Sequence, residues 1–270
     1  MLPEYHPSRS LPFSLEVYPL YAAVMRGVER LHEPGASVPN LGGQLLWGEE
    51  LDATGRALAV AASVGGAATL VAAADPAQQK QAIRDGVVNF LVTSLDEALR
   101  ILKNEIRKRQ PVAVCVGTAV EAVEREMAER GVRPDLMREG VVAAATRGQC
   151  RGPIADRERD PMAMEALVIW KVDTAPAVGL AKLDEIALEC LDPEDHVARR
   201  WIRLAGRTMG RLGHDGHALL GTREFGARLA ERVRELTERG EIKMCGEIEI
   251  AFLGGPDLIR FGPSDRDQAG

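Results

Sequence analysis

Between residues 66 and 135 the sequence alternates short apolar runs with longer amphipathic stretches, and nothing else in it limits the possible folds so sharply. Residues 67–73, 87–92 and 111–116 read as buried strands, dominated by Ala, Val and Leu. Helical stretches stand between them. Residues 76–85 open on Pro76, a residue suited to the first helical position. Residues 94–109 open on Ser94, with Glu97 three positions on, a capping box. Leu99, Leu102 and Ile106 then share one face. A helix at about 51–64 precedes this series, and one at 118–130 follows, leading to a short strand or turn at 132–137 that ends near Gly140. Strands without polar alternation, separated by helices of about ten to fifteen residues, predict a parallel sheet covered on both faces.

Outside this region, Leu15, Val17, Leu20, Tyr21, Val24, Val28 and Leu31 recur at helical spacing. Ser14 is a candidate cap there, and Pro19 sets off or kinks the first turn. A Gly- and Pro-rich loop covers 32–44. Residues 146–164 are polar and contain Gly and Pro, the expected linker or loop. A strand at 166–172, helices at about 176–190, 194–211 and 222–239, and an alternating strand at 242–253 complete the reading. The expected fold class is α/β: a Rossmann-like parallel sheet with helices on both faces, plus a mostly helical C-terminal part. The expected division is an N-terminal arm and helix (1–50), the Rossmann-like domain (51–145), the linker (146–164), the C-terminal helical part (165–253) and a tail (254–270).

A net charge of -6 and a pI near 5.5 exclude a general nucleic-acid binder, which needs a basic face to neutralise phosphates. No run approaches the roughly 20 apolar residues of a membrane span, and the N-terminus lacks the charged start and apolar run of a secretory signal. Cys115, Cys150, Cys190 and Cys245 are scattered without a CxxC pair, which fits reduced thiols in the cytoplasm.

Residues 94–136 carry a more specific pattern. Asp96-Glu97-Ala98-Leu99 opens a helix, Pro111 opens a strand that ends at Gly117, and Arg130-Gly131-Val132-Arg133-Pro134-Asp135 forms a turn. This combination resembles the central NAD-binding domain of urocanase. Leu58-Ala59-Val60, Asp75-Pro76 and, more weakly, residues 21–31 fall where that family has similar segments. The resemblance implies NAD as a tightly held electrophile, lyase or hydratase chemistry on a small imidazole-type or other polar acid, and a homodimer. The sequence also departs from the family. Asn40-Leu41-Gly42-Gly43-Gln44 is a truncated echo of the family's GLGGMGGAQ phosphate loop, and nothing matches its TDQTSAHD segment or its C-terminal substrate stretches.

On that basis Gly42, Gly43 and Gln44 are expected near a pyrophosphate and Asp75 near a ribose. Gly117 and Thr118, at a strand end opening a helix, are further cofactor candidates, and Gly65-Gly66 is a second candidate phosphate loop. Each glycine is equally read as an ordinary turn residue. Cys150-Arg151-Gly152 resembles a Cys-Arg-Gly tripeptide of the family's active region. Cys150 beside Arg151 is a candidate reactive thiol, Arg151 a candidate partner for a substrate carboxylate, and Asp173 a candidate acid–base group at a strand end near Lys171 and Lys182. The bland reading of all three is solvated loop chemistry. His214 and His217, with Cys190 or His196, form a weaker metal-site candidate, and the reading favoured there is no metal. Two functions stay open: a urocanase-like NAD-dependent lyase, or a non-catalytic urocanase-derived protein that binds a nucleotide or small metabolite or serves assembly. The strand at 242–253 would offer a pairing surface if it lay at a sheet edge.

Overall fold

The computed structural model describes residues 12–30, 40–149, 165–172, 176–214, 216–242, 248–253 and 258–261. These fall into two compact units. The first runs from Glu16 to Gly152 and includes Arg207–Arg211, and the second takes the rest of the described chain.

The first unit is built on a five-stranded parallel sheet. After α1 (Ser14–Arg30), β1 (Leu45–Glu50), β2 (Ala68–Ala72), β3 (Phe90–Val92), β4 (Val112–Val116) and β5 (Leu136–Met137) alternate with α2 (Ala53–Gly65), α3 (Pro76–Asp85), α4 (Leu95–Lys108) and α5 (Val120–Glu129). A further helix, α6 (Arg138–Gln149), follows β5. The strand order is β3-β4-β2-β1-β5, and every pairing is parallel. The expected α/β class is what the chain adopts, with β1 and α6 added to the elements read from the sequence.

Side-chain alternation divides the strands between two layers. Trp47, Leu70, Ala72, Val114 and Val116 point to one face, where Leu95, Ala98 and Leu102 of α4 and Val123 and Met127 of α5 close a hydrophobic core. Leu46, Thr69, Val71, Ala113 and Cys115 alternate to the other face and are equally buried. Helix α2 packs there, with Leu58 and Val64 buried. Helix α3 is tied to α2 by the Arg56–Asp85 ion pair at 2.5 Å. Three connections begin with the side-chain caps that their sequences dictate: Asp52 accepts from Gly55 N, Asp75 from Ala77 N, and Ser94 from Glu97 N. The capping box at α4 is shifted by one residue, because Glu97 reaches back to the N–H and hydroxyl of Thr93.

The second unit carries a four-stranded antiparallel sheet, order β7-β6-β8-β9, from β6 (Glu165–Val172), β7 (His217–Thr222), β8 (Ile248–Leu253) and β9 (Leu258–Phe261). Helices α7 (Pro176–Cys190) and α9 (Arg223–Glu238) pack on it and on each other, burying Leu183, Ile186, Leu229 and Val233. From α8 (His196–Met209), Trp201 donates its indole N–H to Ala218 O at 2.8 Å. The helices were expected; β7 and β9 were not. Strand β8 corrects the pairing-surface idea for 242–253, because it lies between β6 and β9 and is bonded on both sides.

Candidate functional site

In an open parallel sheet, ligands bind outside the carboxyl ends of the strands, where successive connections leave toward opposite faces. Here the connections after β1 and β2 carry α2 and α3 on one face, and those after β3 and β4 carry α4 and α5 on the other. The reversal falls between β2 and β4, which are neighbours in the sheet. Asp75, Gly117 and Thr118 stand at that point. Ala73 N donates to Val116 O at 3.1 Å, and Gly117 N donates to Val92 O at 2.8 Å, which locks the two loops together. Gln79 lies across them, its amide donating to Ala73 O at 2.7 Å. A Cβ on Gly117 would stand 3.3 Å from the same amide nitrogen. Asp75 is committed to capping α3. Helix α5 begins at Ala119 without any side-chain cap.

Gly42, Gly43 and Gln44 sit elsewhere. They precede β1, at the amino ends of the strands: Gln44 O accepts from Ala68 N, at the start of β2. Their glycine content answers a packing demand. Gly42 lies under Arg109, where a Cβ would come within 3.1 Å of the Arg109 Cβ, and Gly43 holds φ at 95°. Arg109 itself caps α4 in the left-handed region, with φ 57°. Gly66 also lies before a strand, as the left-handed C-cap of α2. The six cofactor candidates therefore divide between opposite ends of the sheet.

The loop that does leave the carboxyl end of β1 and starts α2 was not singled out from the sequence, because β1 itself was not read. It runs Gly48-Glu49-Glu50-Leu51-Asp52-Ala53-Thr54-Gly55. The β1–β2 register shifts between Trp47 and Glu50, and Glu49 takes φ 59°, unusual for a residue with a Cβ. Asp52 occupies the amino end of α2, bonded to Gly55 N at 2.7 Å. Arg138, the first residue of α6, lies over the turn. It donates to Asp52 Oδ2 at 2.7 Å and to Glu50 O at 3.1 Å, and its Nε stands 3.8 Å from Glu49. Burial, opposed by Arg138 and reinforced by the carboxylates of Glu124, Glu139 and Asp52, pushes the Glu49 carboxyl up. Asp52 goes the other way: burial opposes, but hydrogen bonds from Arg138 and Gly55 N hold its carboxyl below the usual range. The turn is also closed sterically, since a Cβ on Gly55 would stand 1.9 Å from Glu50 O.

Cys150, Arg151 and Asp173 lie outside the described residues. Lys182 is paired with Glu185 on the surface, and Lys171 is buried. His217 is drawn inward: its Nδ1 is 2.8 Å from Asp184 Oδ1, which also accepts the Trp170 indole N–H at 2.9 Å. Among the described residues no three His, Cys, Asp or Glu side chains converge as a metal site. Cys115 is fully buried, and burial pushes its thiol up to about 11. No described helix is long and apolar enough to cross a membrane.

The sheet order, the reversal between β2 and β4 and the DEAL, Pro-strand-Gly and RGVxPD elements on α4, β4 and the turn into β5 agree with one further finding. Residues 35–146 match the family described as the urocanase Rossmann-like domain. Over those residues the chain is similar to the urocanase Rossmann-like domain, a nucleotide-binding fold.

Proposed function

We propose that this domain is a non-catalytic derivative of the urocanase fold that no longer holds NAD and that serves as an assembly module. The observation that supports this reading is the occupant of the turn after β1. A dinucleotide places its pyrophosphate against backbone N–H groups at a helix start, and glycines let it approach. At the start of α2 that place is taken by the Asp52 carboxylate, with Glu49 and Glu50 beside it and Arg138 consumed in holding them. A pyrophosphate there would meet three carboxylates and, among the described residues, no free cation, which is the wrong donor set. Nor do the glycines of residues 42–43 replace it, since they lie at the opposite end of the strands. The lyase reading would need NAD at this turn and a substrate held by Cys150, Arg151 and Asp173.

The test is to denature the purified protein, analyse the supernatant for NAD by mass spectrometry, and titrate the native protein with NAD while following its thermal transition. No released NAD and no shift at millimolar NAD are expected. Stoichiometric NAD would overturn the reading, and urocanate and its analogues would then be the substrates to try.

A further inference from the structure

We infer that a cavity at the amino ends of β3 and β4 binds a small phosphate monoester through Arg207, Asn89 and Ser63. The cavity measures about 230 Å³, below the roughly 300 Å³ at which pockets begin to take drug-sized ligands. Its wall includes Asn89 just ahead of β3, Pro111 just ahead of β4, Ser63 on the last turn of α2 and Arg207 on the last turn of α8. All of them belong to the first unit. They lie at the end of the sheet opposite to the one where parallel sheets hold their nucleotides. Among the described residues no acidic side chain lines the cavity.

Three polar groups there are unspent. Arg207 makes no hydrogen bond or ion pair among the described residues, and its own helix offers it none. The positions three and four away are Arg203, Leu204, Gly210 and Arg211, and like charges at that spacing repel. Asn89 is pinned from both sides. Its backbone N–H donates to Ala113 O at 2.8 Å, and its side-chain oxygen accepts from Ala113 N at 2.8 Å. That fixes which way the amide faces and leaves its NH2 group with donors to spare. The Ser63 hydroxyl is likewise unbonded among the described residues. The negative groups nearby are already satisfied. Asp85 accepts from Arg56 at 2.5 Å and Gln81 at 2.8 Å, and the carbonyls closing α2 and α3 accept from Gly66 N and Gly86 N. An entering anion therefore meets a free guanidinium, amide and hydroxyl. Their number favours phosphate. The guanidinium fork serves two oxygens, and the amide and hydroxyl remain for a third, which a phosphate monoester has and a carboxylate lacks.

The experiment is calorimetric titration of the full chain with glycerol 3-phosphate and with glycerate, at constant ionic strength. Saturable binding of glycerol 3-phosphate with a Kd below about 1 mM is expected, and glycerate should bind at least about tenfold more weakly. Arg207→Ala should weaken the phosphate ester by about tenfold or more. Asn89→Asp keeps an oxygen for Ala113 N and puts a carboxylate oxygen where the NH2 stood, so it should weaken binding as much. Arg211→Ala removes an exposed arginine of the same region that does not line the cavity, and it should change the affinity by less than about twofold. Circular dichroism checks that each variant keeps its fold. No saturable binding by the wild type overturns the inference, as does an affinity unchanged in Arg207→Ala or Asn89→Asp. Equal losses in Arg207→Ala and Arg211→Ala would show diffuse attraction in place of a site, and glycerate binding as tightly as the phosphate ester would refute the ligand class.

Discussion

Replacing Arg138 with Ala should destabilise the first unit by about 2–3 kcal/mol at pH 7. The Arg138 side chain is 17% exposed and holds the turn after β1 from above. Its bond to Asp52 is charge-assisted, the class worth about 1.5–3 kcal/mol. That figure belongs at its lower end here, because the Asp52 side chain is 42% exposed. The bond to Glu50 O adds about 1 kcal/mol, while the 3.5 Å approach to Gly48 O and the 3.8 Å approach to Glu49 add little. A loss of that size lowers the thermal midpoint by about 5–10 °C. Arg138→Lys should recover only part, since an ammonium cannot serve Asp52 and Glu50 O together as the guanidinium fork does. The pH dependence follows from two carboxyls. Asp52 is held below its ordinary 3.8, so its contribution is complete above that value and is lost as pH falls through the depressed pKa. Glu49 is raised above its ordinary 4.5, so it favours folding at acid pH and that gain is lost as pH rises through the raised pKa. Without Arg138 the Glu49 shift deepens. Both effects make the gap between wild type and variant widest near neutrality and narrow it below about pH 4. Urea denaturation from pH 3.5 to 8 measures it. A gap under about 0.5 kcal/mol at pH 7 would place Arg138 among inconsequential surface ions and refute the reasoning.

Other substitutions probe the same unit. Gly55→Ala puts a methyl 1.9 Å from a backbone oxygen that cannot swing away; about 3 kcal/mol or more should be lost in denaturant unfolding. Thr69→Val should raise stability by about 1 kcal/mol, because the Thr69 hydroxyl is fully buried and has no hydrogen-bond partner among the described residues; a lower urea midpoint would contradict it. Cys115, buried and with its thiol raised to about 11, should label only on unfolding, after Cys190, as peptide mapping of alkylated protein at pH 8 can resolve.

The elements that were legible in the sequence announce themselves by period and cap. Ser94 with the apolar spacing of α4, and Asp75-Pro76 at α3, fix two connections of the parallel sheet, and α7 spans the residues expected to be helical. Strand β1 escaped because Leu45-Leu46-Trp47 is only three apolar residues long before Gly48-Glu49-Glu50, so neither alternation nor a long buried run marks it. That omission carried the site with it. With β1 unread, nothing in the sequence shows that Gly42-Gly43 precedes a strand or that the acidic turn at residues 48–55 follows one. Helix α6 was hidden by Gly140 near its start, which read as a terminus. Strand β7 is six residues beginning in the His214-to-His217 turn, and its histidine looked like a ligand because nothing local reveals Asp184 beneath it.

The pairing of β5 with β1 sets an order on how the domain is made. Leu46 lies beside Leu136, and Asp135 accepts from Leu45 N across 90 positions of sequence. During synthesis β1 emerges early but stays open on that flank until residue 137 has cleared the ribosome, at about 5–20 residues per second. Through that interval its unpaired backbone is available to a neighbouring nascent chain. Ribosomal pausing beyond α6 should raise the yield of folded protein, and a fragment ending before Asp135 should aggregate through β1.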